Sequence, residues 1–285
     1  MASAQDLRKR IKSVTNTQQI TKAMKMVASA RLRRAQLKAQ STRPYALKLA
    51  DVLRHVAGSP TFERTHPMLR HDTVKRTGYL IIGADKGLAG AYTSNLIKYM
   101  VNELSGKTPD QYALVTVGRK PRDYMKSRGY TVKKSFYGYS DKPSYEHAKA
   151  LTKEIAHAFL QEEVDEVVMV YTEFINSLTQ QVRECHLLPF STPEAHAAGE
   201  REYFFMPDGE TIFNELVPKY LEITIYNGLL QSAASELGAR MTAMTSSTDN
   251  AGELINKLNL EYNKLRQAGI TNEISEIVGG ANALQ

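Results

Sequence analysis

A long apolar seam in the C-terminal part constrains this chain of 285 residues more than any other feature. From Leu216 to Leu265, the seam positions recur in alternating steps of four and three residues, and 13 of these 15 positions are apolar. The two exceptions are Asn227 and Thr248. A period of 3.5 residues that lasts for about seven heptads is typical of a long supercoiled helix. Such a helix needs a partner that covers its seam.

The length of the seam also predicts an extended element. No proline follows Pro218, so we expect a helix from there to about residue 283. At 1.5 Å per residue, this helix is on the order of 100 Å long. A compact globule of this chain length is only about 40 Å across. We therefore expect the helix to project beyond the body of the protein.

The N-terminal residues supply a partner for the seam. Leu7, Ile11 and Val14 keep the same spacing, and residues 5–57 are typical of a helix. We expect a bend near Pro44, because a proline ring removes a hydrogen bond from the helix interior. Both helices must return to the same middle domain, which predicts an antiparallel coiled coil. The two polar seam residues are then expected to help fix its register.

Between the terminal helices, strand patterns alternate with helix patterns. Strands are predicted at 79–83, 112–117 and 164–171, and helices at 120–128, at 145–160 and in a segment ending at Leu104. We expect a hairpin or edge strand at 178–188 and one short strand at 203–206. This alternation predicts a small Rossmann-like α/β domain with a largely parallel sheet. The predicted domains are an N-terminal coiled-coil helix at 1–58, the α/β domain at 70–210 and a C-terminal coiled-coil helix at 211–285.

The glycine-bearing loop at 83–90 follows a predicted strand, where dinucleotides often bind. Its glycines give the pattern G-x-x-x-G-x-x-G, whereas the dinucleotide fingerprint is G-x-G-x-x-G. A P-loop requires Gly-Lys-Ser/Thr, but Lys86 precedes its glycine. The spacing favours a tight turn over a nucleotide site.

No other segment predicts a catalytic or metal site. None of the seven histidines forms an H-x-x-x-H pair, so we expect no metal and no cofactor. Cys185 and His186 are adjacent, and neighbouring residues on a strand point to opposite faces, which prevents them from acting as a nucleophile and its base. The single cysteine also fits a reducing cytosol. No apolar run approaches the roughly 18 residues of a membrane-spanning helix.

Positive charge is concentrated near the N-terminus. Residues 1–55 contain 13 Lys and Arg but only Asp6 and Asp51, a net charge of +11, whereas the whole chain carries +7. Such asymmetry indicates an acidic partner: nucleic acid, anionic lipid or an acidic protein surface. A solvated helix face is the simpler alternative.

Four motifs then carry a family resemblance along the whole chain. They are residues 20–28 (ITKAMKMVA) with 31–35 (RLRRA), the loop 85–90 (DKGLAG), residues 235–244 (SELGARMTAM) with 248–251 (TDNA), and residues 270–283 (ITNEISEIVGGANA). In this order they closely resemble the gamma subunit of the F-type ATP synthase. Ala89 stands where many members of that family carry cysteine.

The resemblance implies a non-catalytic rotor subunit. In that family, paired terminal helices stand in the cavity of a hexamer of alpha and beta subunits, in one copy per complex. The α/β domain forms a foot that binds the epsilon subunit and the ring of c subunits. Proton flow turns the ring and the shaft, which drives the beta subunits through ATP synthesis, and hydrolysis reverses the rotation. The chain has no transit segment and no inserted cysteine pair, so we expect a peripheral location on the cytoplasmic side of a bacterial plasma membrane.

The resemblance also implies partner-binding residues for the hexamer. The basic residues of the first helix are expected to meet acidic lever segments of the beta subunits, with a methionine close to those levers: Lys22, Met24, Lys25, Arg31, Arg33 and Arg34. Near the tip, four residues match positions that bind a beta-subunit loop: Arg266, Gln267, Thr271 and Glu273. Residues 277–285 carry no charge, as a smooth bearing requires.

Two other functions stay open at this point. In a basic coiled coil that binds nucleic acid, residues 8–34 would lie along phosphates, and affinity would fall steeply with salt. The apolar residues between these cations, such as Met24 and Val27, are unusual for a helix that follows a phosphate backbone. The third possibility is a small-molecule enzyme built on the middle domain.

Overall fold

The computed structural model describes residues 3–58, 67–69, 73–190, 206 and 208–283. Of the predicted short strand at 203–206, only Met206 lies among the described residues. The helices are α1 (Ala4–Gly58), α2 (Tyr92–Glu103), α3 (Arg119–Ser127), α4 (Tyr145–Leu160) and α5 (Gly209–Ala283). The strands are β1 (Thr77–Ile82), β2 (Tyr112–Val117), β3 (Val132–Phe136), β4 (Glu166–Phe174) and β5 (Gln180–Leu188). The predicted fold class, an α/β domain with two long terminal helices, is confirmed.

The chain divides into two compact units, and α1 and α5 contribute segments to both. The first, the coiled-coil unit, contains the N-terminal residues through Ala28 and the C-terminal residues from Met241. The second, the sheet unit, runs from Ser29 to Arg240. Each long helix therefore belongs to the coiled-coil unit at one end and to the sheet unit at the other.

The sheet has the strand order β3-β2-β1-β4-β5. The first four strands are parallel, and β5 pairs with β4 in the antiparallel direction, which confirms the predicted edge strand. The sequence prediction omitted β3. This strand lies at the other edge, and its Lys133 and Lys134 are exposed, so it lacks the apolar run that marks a buried strand.

Side chains of β1 alternate between two apolar layers, as the period of a strand requires. Leu80 and Ile82 face a layer formed by α4 and by segments of α1 and α5. Tyr79 and Ile81 face a layer that includes residues of α2 and α3. Complete burial of one such aliphatic side chain stabilises the fold by about 1.5–3 kcal/mol. The sheet is therefore the centre of the sheet unit.

Helix α5 lies close against the sheet. A Cβ atom on Gly228 would stand 2.7 Å from Met169 Sδ, so a larger residue would have to displace the buried Met169 side chain. Where β4 extends beyond its pairing with β1, side chains of α5 replace the missing strand: Ser232 Oγ accepts from the Thr172 amide at 3.3 Å, and Ser235 Oγ donates to the Thr172 carbonyl at 2.9 Å. Helix α5 thus completes the hydrogen bonding of the sheet.

Helix α5 begins before Pro218, contrary to the expected start. Its first residue is Gly209, and the carboxylate of Asp208 accepts from the Thr211 amide at 2.8 Å and from the Thr211 hydroxyl at 2.9 Å. This side chain caps the helix and satisfies an amide that has no partner within it. Pro218 lies inside the helix, as Pro44 lies inside α1.

In the coiled-coil unit, the two helices pair in the predicted antiparallel direction. The Thr21 and Thr248 hydroxyls are 2.8 Å apart, and Gln18 Nε2 donates to the Thr248 carbonyl at 3.3 Å. Gln18 also lies against Gly252, so residue numbers fall on one helix where they rise on the other. Thr248 lies at the seam between the two helices, as its spacing predicts. Its partners were not predicted, because Gln18 and Thr21 interrupt the apolar spacing.

Candidate partner-binding surfaces

The first predicted contact surface lies beside the paired helices of the coiled-coil unit. Lys22 is exposed, and Met24 and Lys25 are half-buried. A groove of about 530 Å³ runs beside them, lined by Gln18, Gln19, Lys22, Lys25, Met26, Thr248 and Asp249. Thr248 thus lies in a groove that has two lysines on α1 and an aspartate on α5. The groove therefore presents charges of both signs beside the apolar side chain of Met26.

The second predicted surface begins where α1 no longer covers α5. In the register set by Thr21 and Thr248, the first residue of α1, Ala4, stands opposite Leu265. From residue 263 to residue 279, every α5 side chain is exposed. This segment includes the four candidate residues of the tip: Arg266, Gln267, Thr271 and Glu273. Past Leu265, α5 is therefore a single helix with no partner among the described residues of α1.

This single helix carries an apolar stripe. Ile270, Ile274, Ile277 and Val278 are between 48% and 70% exposed, and the spacing of the isoleucines in steps of four and three places them on one face. The stripe leads into the uncharged segment 277–285. An exposed apolar face of this length indicates a binding surface, because it gains free energy when a partner covers it.

The arginines of the third surface belong to the sheet unit. Arg31, Arg33 and Arg34 are all exposed. Arg31 Nη1 donates to Asp141 Oδ1 at 3.3 Å, and Asp141 also pairs with Lys86. The nearby Lys86 ammonium lowers the pKa of the Asp141 carboxyl below its ordinary value. Sequence reasoning missed Asp141, which lies 110 positions from Arg31.

The glycine loop after β1 packs against the segment that joins β2 to α3. The Gly83 amide donates to the Val117 carbonyl at 2.9 Å, and the Lys120 amide donates to the Ala84 carbonyl at 3.0 Å. A Cβ atom on Gly83 would lie 2.9 Å from Pro121 Cγ, and one on Gly118 would lie 2.6 Å from the Gly83 carbonyl oxygen. Neither position can therefore accept a side chain without displacing neighbouring atoms.

Asp85 ties this loop to its neighbours at the same edge of the sheet. Its carboxylate accepts from the Gly138 amide at 2.9 Å, the Ser140 hydroxyl at 3.0 Å and the Arg119 amide at 3.2 Å. The last of these amides belongs to the first residue of α3, which has no intrahelical acceptor. One carboxylate therefore joins the ends of β1, β2 and β3.

The loop is also held by α5. Arg240 Nη2 donates to the Gly87 carbonyl at 3.1 Å and to Glu236 Oε1 at 2.5 Å. The side chains of Glu236 and Arg240 are only 3% and 10% exposed. Burial raises the pKa of the Glu236 carboxyl, and the adjacent guanidinium opposes that shift. The Ala89 side chain is buried in a small cluster with Ala239, where both residues have small side chains.

Cys185 and His186 lie on β5 as predicted, with no catalytic arrangement between their side chains. Cys185 is half-buried, and burial raises the pKa of its thiol, which disfavours the reactive thiolate. His186 is exposed, with Nδ1 2.7 Å from Glu166 Oε1. In the described part of the chain, no cluster of metal-ligating side chains occurs. The described helices also include none that is long and apolar enough to cross a bilayer.

Comparison with known proteins covers the whole chain. The sequence profile of the family described as ATP synthase matches residues 3–284. The chain is 47% identical to the ATP synthase gamma chain of Desulforamulus reducens, 45% identical to that of Heliobacterium modesticaldum and 42% identical to that of Staphylococcus epidermidis. Each alignment covers 100% of both sequences. The chain belongs to the gamma-chain family of the ATP synthases. The resemblance seen in the four sequence motifs is confirmed.

Solved structures show the same fold in this family. A chain of the mitochondrial ATP synthase of Euglena gracilis, in a structure described as OSCP/F1/c-ring, aligns with a TM-score of 0.73, 18% identity and coverage of 99% of this chain and 94% of that one. A chain of the mitochondrial ATP synthase of Tetrahymena thermophila, in a structure of the central stalk and c-ring, aligns with a TM-score of 0.61 and 24% identity. The alignment covers 80% of this chain and 98% of that one.

Family membership gives each of the four motifs a place in the fold. The motif at 20–28 forms one side of the coiled coil, and that at 270–283 lies in the last part of α5, beyond Leu265. The loop at 85–90 and the segment at 235–244 meet through the Arg240 contact to Gly87. Sequence reasoning treated the last two motifs separately, although Glu236 and Arg240 are spaced by one helical turn and so could have been recognised as a pair.

Proposed function

We propose that this chain is the central-stalk rotor of a proton-translocating ATP synthase, which couples rotation of a membrane c-ring to conformational changes of catalytic beta subunits. It would contribute no catalytic residue of its own. The full-length match to gamma chains carries this proposal, because it includes both terminal helices as well as the sheet. ATP synthesis and proton transport are then activities of the assembled complex.

The partners follow from this assignment. The coiled-coil helices would stand within a hexamer of alpha and beta subunits, with one copy of the chain per hexamer. The segment 70–210 would form the foot that binds the epsilon subunit and the c-ring, flanked by coiled-coil helices at 1–58 and 211–285. The complex would be attached to a bacterial plasma membrane, with this chain peripheral on its cytoplasmic side. Bacterial gamma chains are among the most similar relatives, which supports this location.

The exposed cations of α1 suit a contact that is made and broken during each turn. Lys22 and Arg33 are exposed, and an ion pair at such a wet surface contributes only about 0–1 kcal/mol. Contacts of this strength with acidic lever segments would guide the rotor without stopping it. Arg31 and Arg34 are exposed in the same way, whereas the other two predicted lever contacts, Met24 and Lys25, are half-buried.

The tip of α5 suits two roles: an apolar surface that slides during rotation, and a set of catch residues that bind a beta-subunit loop at particular rotation angles. Its apolar stripe would slide against an apolar sleeve, since contacts between apolar surfaces have no preferred direction. Arg266, Gln267, Thr271 and Glu273 would bind a beta-subunit loop at particular angles. Of these, Arg266 and Glu273 provide charge-assisted hydrogen bonds, which are the stronger kind.

The nucleic-acid alternative receives no support from the comparisons. It would require the chain to bind duplex DNA independently of sequence. The logarithm of the binding constant would then fall with the logarithm of the salt concentration, with a slope of about −0.9 per phosphate contact. The relatives that match over the full length carry the name ATP synthase gamma chain.

Reconstitution tests the proposed function. Mixed with alpha, beta, epsilon and c-ring components in vesicles, the chain should support ATP-driven proton pumping, with one copy per six alpha and beta subunits. Deletion of residues 266–285 should weaken coupling and leave the sheet unit folded. Lys264→Ala provides a matched control for Arg266→Ala, because Lys264 is exposed on the same helix and is not a predicted contact. Equal coupling in both variants would argue against Arg266 as a catch residue, and pumping without this chain would contradict the rotor assignment.

A further inference from the structure

Six charged side chains meet at the carboxyl-end edge of the sheet, and only one of them, Arg31, is among the predicted contacts to the hexamer. They come from α1, from the loops after β1 and β3, and from α5, all within the sheet unit. This group, the charge cluster, comprises Arg31, Asp85, Lys86, Asp141, Glu236 and Arg240. Direct contacts link Arg31 and Lys86 to Asp141, and Arg240 to Glu236.

The members also act on one another beyond these direct contacts. After Lys86, the charges of Arg31 and Arg240 lower the pKa of Asp141 further. The charges of Asp141 and Asp85 add to the burial that raises the pKa of Glu236. The cluster is therefore one electrostatic unit that joins four elements of the fold.

The cluster has a buried part and an exposed part. Glu236 and Arg240 are almost fully buried, whereas the side chains of Asp141, Arg31 and Lys86 are 31%, 43% and 64% exposed. A buried pair cannot separate without leaving uncompensated charge, so it is permanent in the folded state. An exposed pair can open and close at little cost. The loop after β1 is thus fixed to α5 through Gly87 and Arg240, and reversibly tied to α1 through Asp141.

Apolar packing and charged contacts hold these elements in different ways. Contacts such as that of Gly228 with Met169 hold α5 against the sheet, but apolar attraction itself has no preferred direction. Charge-assisted hydrogen bonds have a defined distance and angle. They resist a twist that would leave the buried apolar area unchanged. In the sheet unit, the charge cluster supplies bonds of this kind between the loops after β1 and β3 and both long helices.

We propose that the charge cluster is the torsional joint of the rotor, passing torque between the sheet and the segments of α1 and α5 in the same unit. This role rests on the proposed rotor function. Arg240 and Glu236 act as the fixed side of the joint. Asp141 acts as a positioning residue that connects Lys86 with Arg31 and so limits the twist of α1 against the loop.

The test compares Arg31→Gln, Asp141→Asn and the double variant with Lys142→Gln, which changes an exposed neighbour of Asp141. The first measurement is amide hydrogen exchange of the full-length chain, read by mass spectrometry in the loop after β1 and in α1. We expect Asp141→Asn to accelerate exchange in both places, because both are tied to this carboxylate. Acceleration confined to the peptide that contains residue 141 would overturn the proposal.

The second measurement is the torsional spring constant of the rotor in the reconstituted complex, from the angular fluctuations of a bead attached to α3. We expect each single variant to lower it about twofold, and the double variant to lower it no further, because both changes break the same contact. Spring constants equal to that of Lys142→Gln would overturn the joint even if the complex rotates normally. A complex that does not rotate at all would instead contradict the proposed function, and the exchange measurement would still decide whether the cluster links the loop to α1.

Discussion

Replacement of Arg240 by alanine is expected to be among the most damaging single changes in the sheet unit. The change leaves the Glu236 carboxylate without its guanidinium partner at a position where its side chain is 3% exposed. Breaking a buried ion pair by removing one partner costs about 3–5 kcal/mol. The lost bond to the Gly87 carbonyl adds little, because Gly87 is exposed and water can replace the donor.

The same reasoning predicts how the stability of Arg240→Ala changes with pH. Burial raises the pKa of Glu236 in the folded chain, and removal of Arg240 raises it further. A carboxyl with a folded pKa above its unfolded value of about 4.3 binds its proton more tightly in the folded state. Stability must then fall as the pH rises from the unfolded pKa through the folded pKa. Arg240→Ala is therefore expected to lose less stability near pH 5 than near pH 8.

Urea denaturation followed by far-ultraviolet circular dichroism at both pH values measures this difference. Glu236→Gln combined with Arg240→Ala removes the buried charge and should recover most of the loss. Arg183→Ala is the matched control, because its ion pair with Glu173 is exposed and contributes about 0–1 kcal/mol. A loss for Arg240→Ala that is independent of pH and unchanged by Glu236→Gln would refute a buried, uncompensated carboxylate as its cause.

Three further changes probe the packing of the chain. Gly228→Ala should destabilise the sheet unit by about 1–3 kcal/mol, because its Cβ would stand 2.7 Å from Met169 Sδ. At Gly269, an added Cβ would meet no neighbouring atom within 4 Å, so Gly269→Ala should instead raise the midpoint of thermal unfolding, because alanine has the higher helix propensity. Thr248→Val should cost up to about 1 kcal/mol in urea denaturation, because the buried Thr21 hydroxyl loses its 2.8 Å partner and keeps only the Gln18 carbonyl, and Thr21→Val in the same chain should recover part of that loss. Asp85→Ala should accelerate amide exchange at Gly138 and Arg119, which donate to its carboxylate, and unchanged exchange there would contradict its role as a clamp.

The long helices could be predicted because their signal is local and repeated. Seam positions such as Leu230, Ala234 and Leu258 are buried as the period of 3.5 residues requires. The polar partners of Thr248 could not be predicted, because a glutamine and a threonine on a seam are indistinguishable from a break in the pattern. The edge strand β3 was missed for a similar reason, since its exposed lysines remove the apolar signal.

The contacts of the charge cluster depend on distant positions. Lys86 and Asp141 are separated by 55 positions, and Arg240 and Gly87 by 153. Nothing in the local pattern around Asp141 indicates its partners, because the fold brings them together. The spacing of Glu236 and Arg240 was visible, but their burial follows from the close packing of α5 on the sheet. Periodicity thus predicts the elements, and tertiary packing decides which charges meet.

Rotation of the sheet unit inside an assembled complex is the most direct test of the rotor assignment. A bead can be attached to the exposed face of α3 through Lys126→Cys in a Cys185→Ser background, with the alpha and beta subunits fixed to a surface. On addition of ATP, the bead should turn continuously in one direction, at a rate that follows the rate of ATP hydrolysis. Sustained hydrolysis with a bead that only fluctuates about one angle would show that this chain is not the turning element.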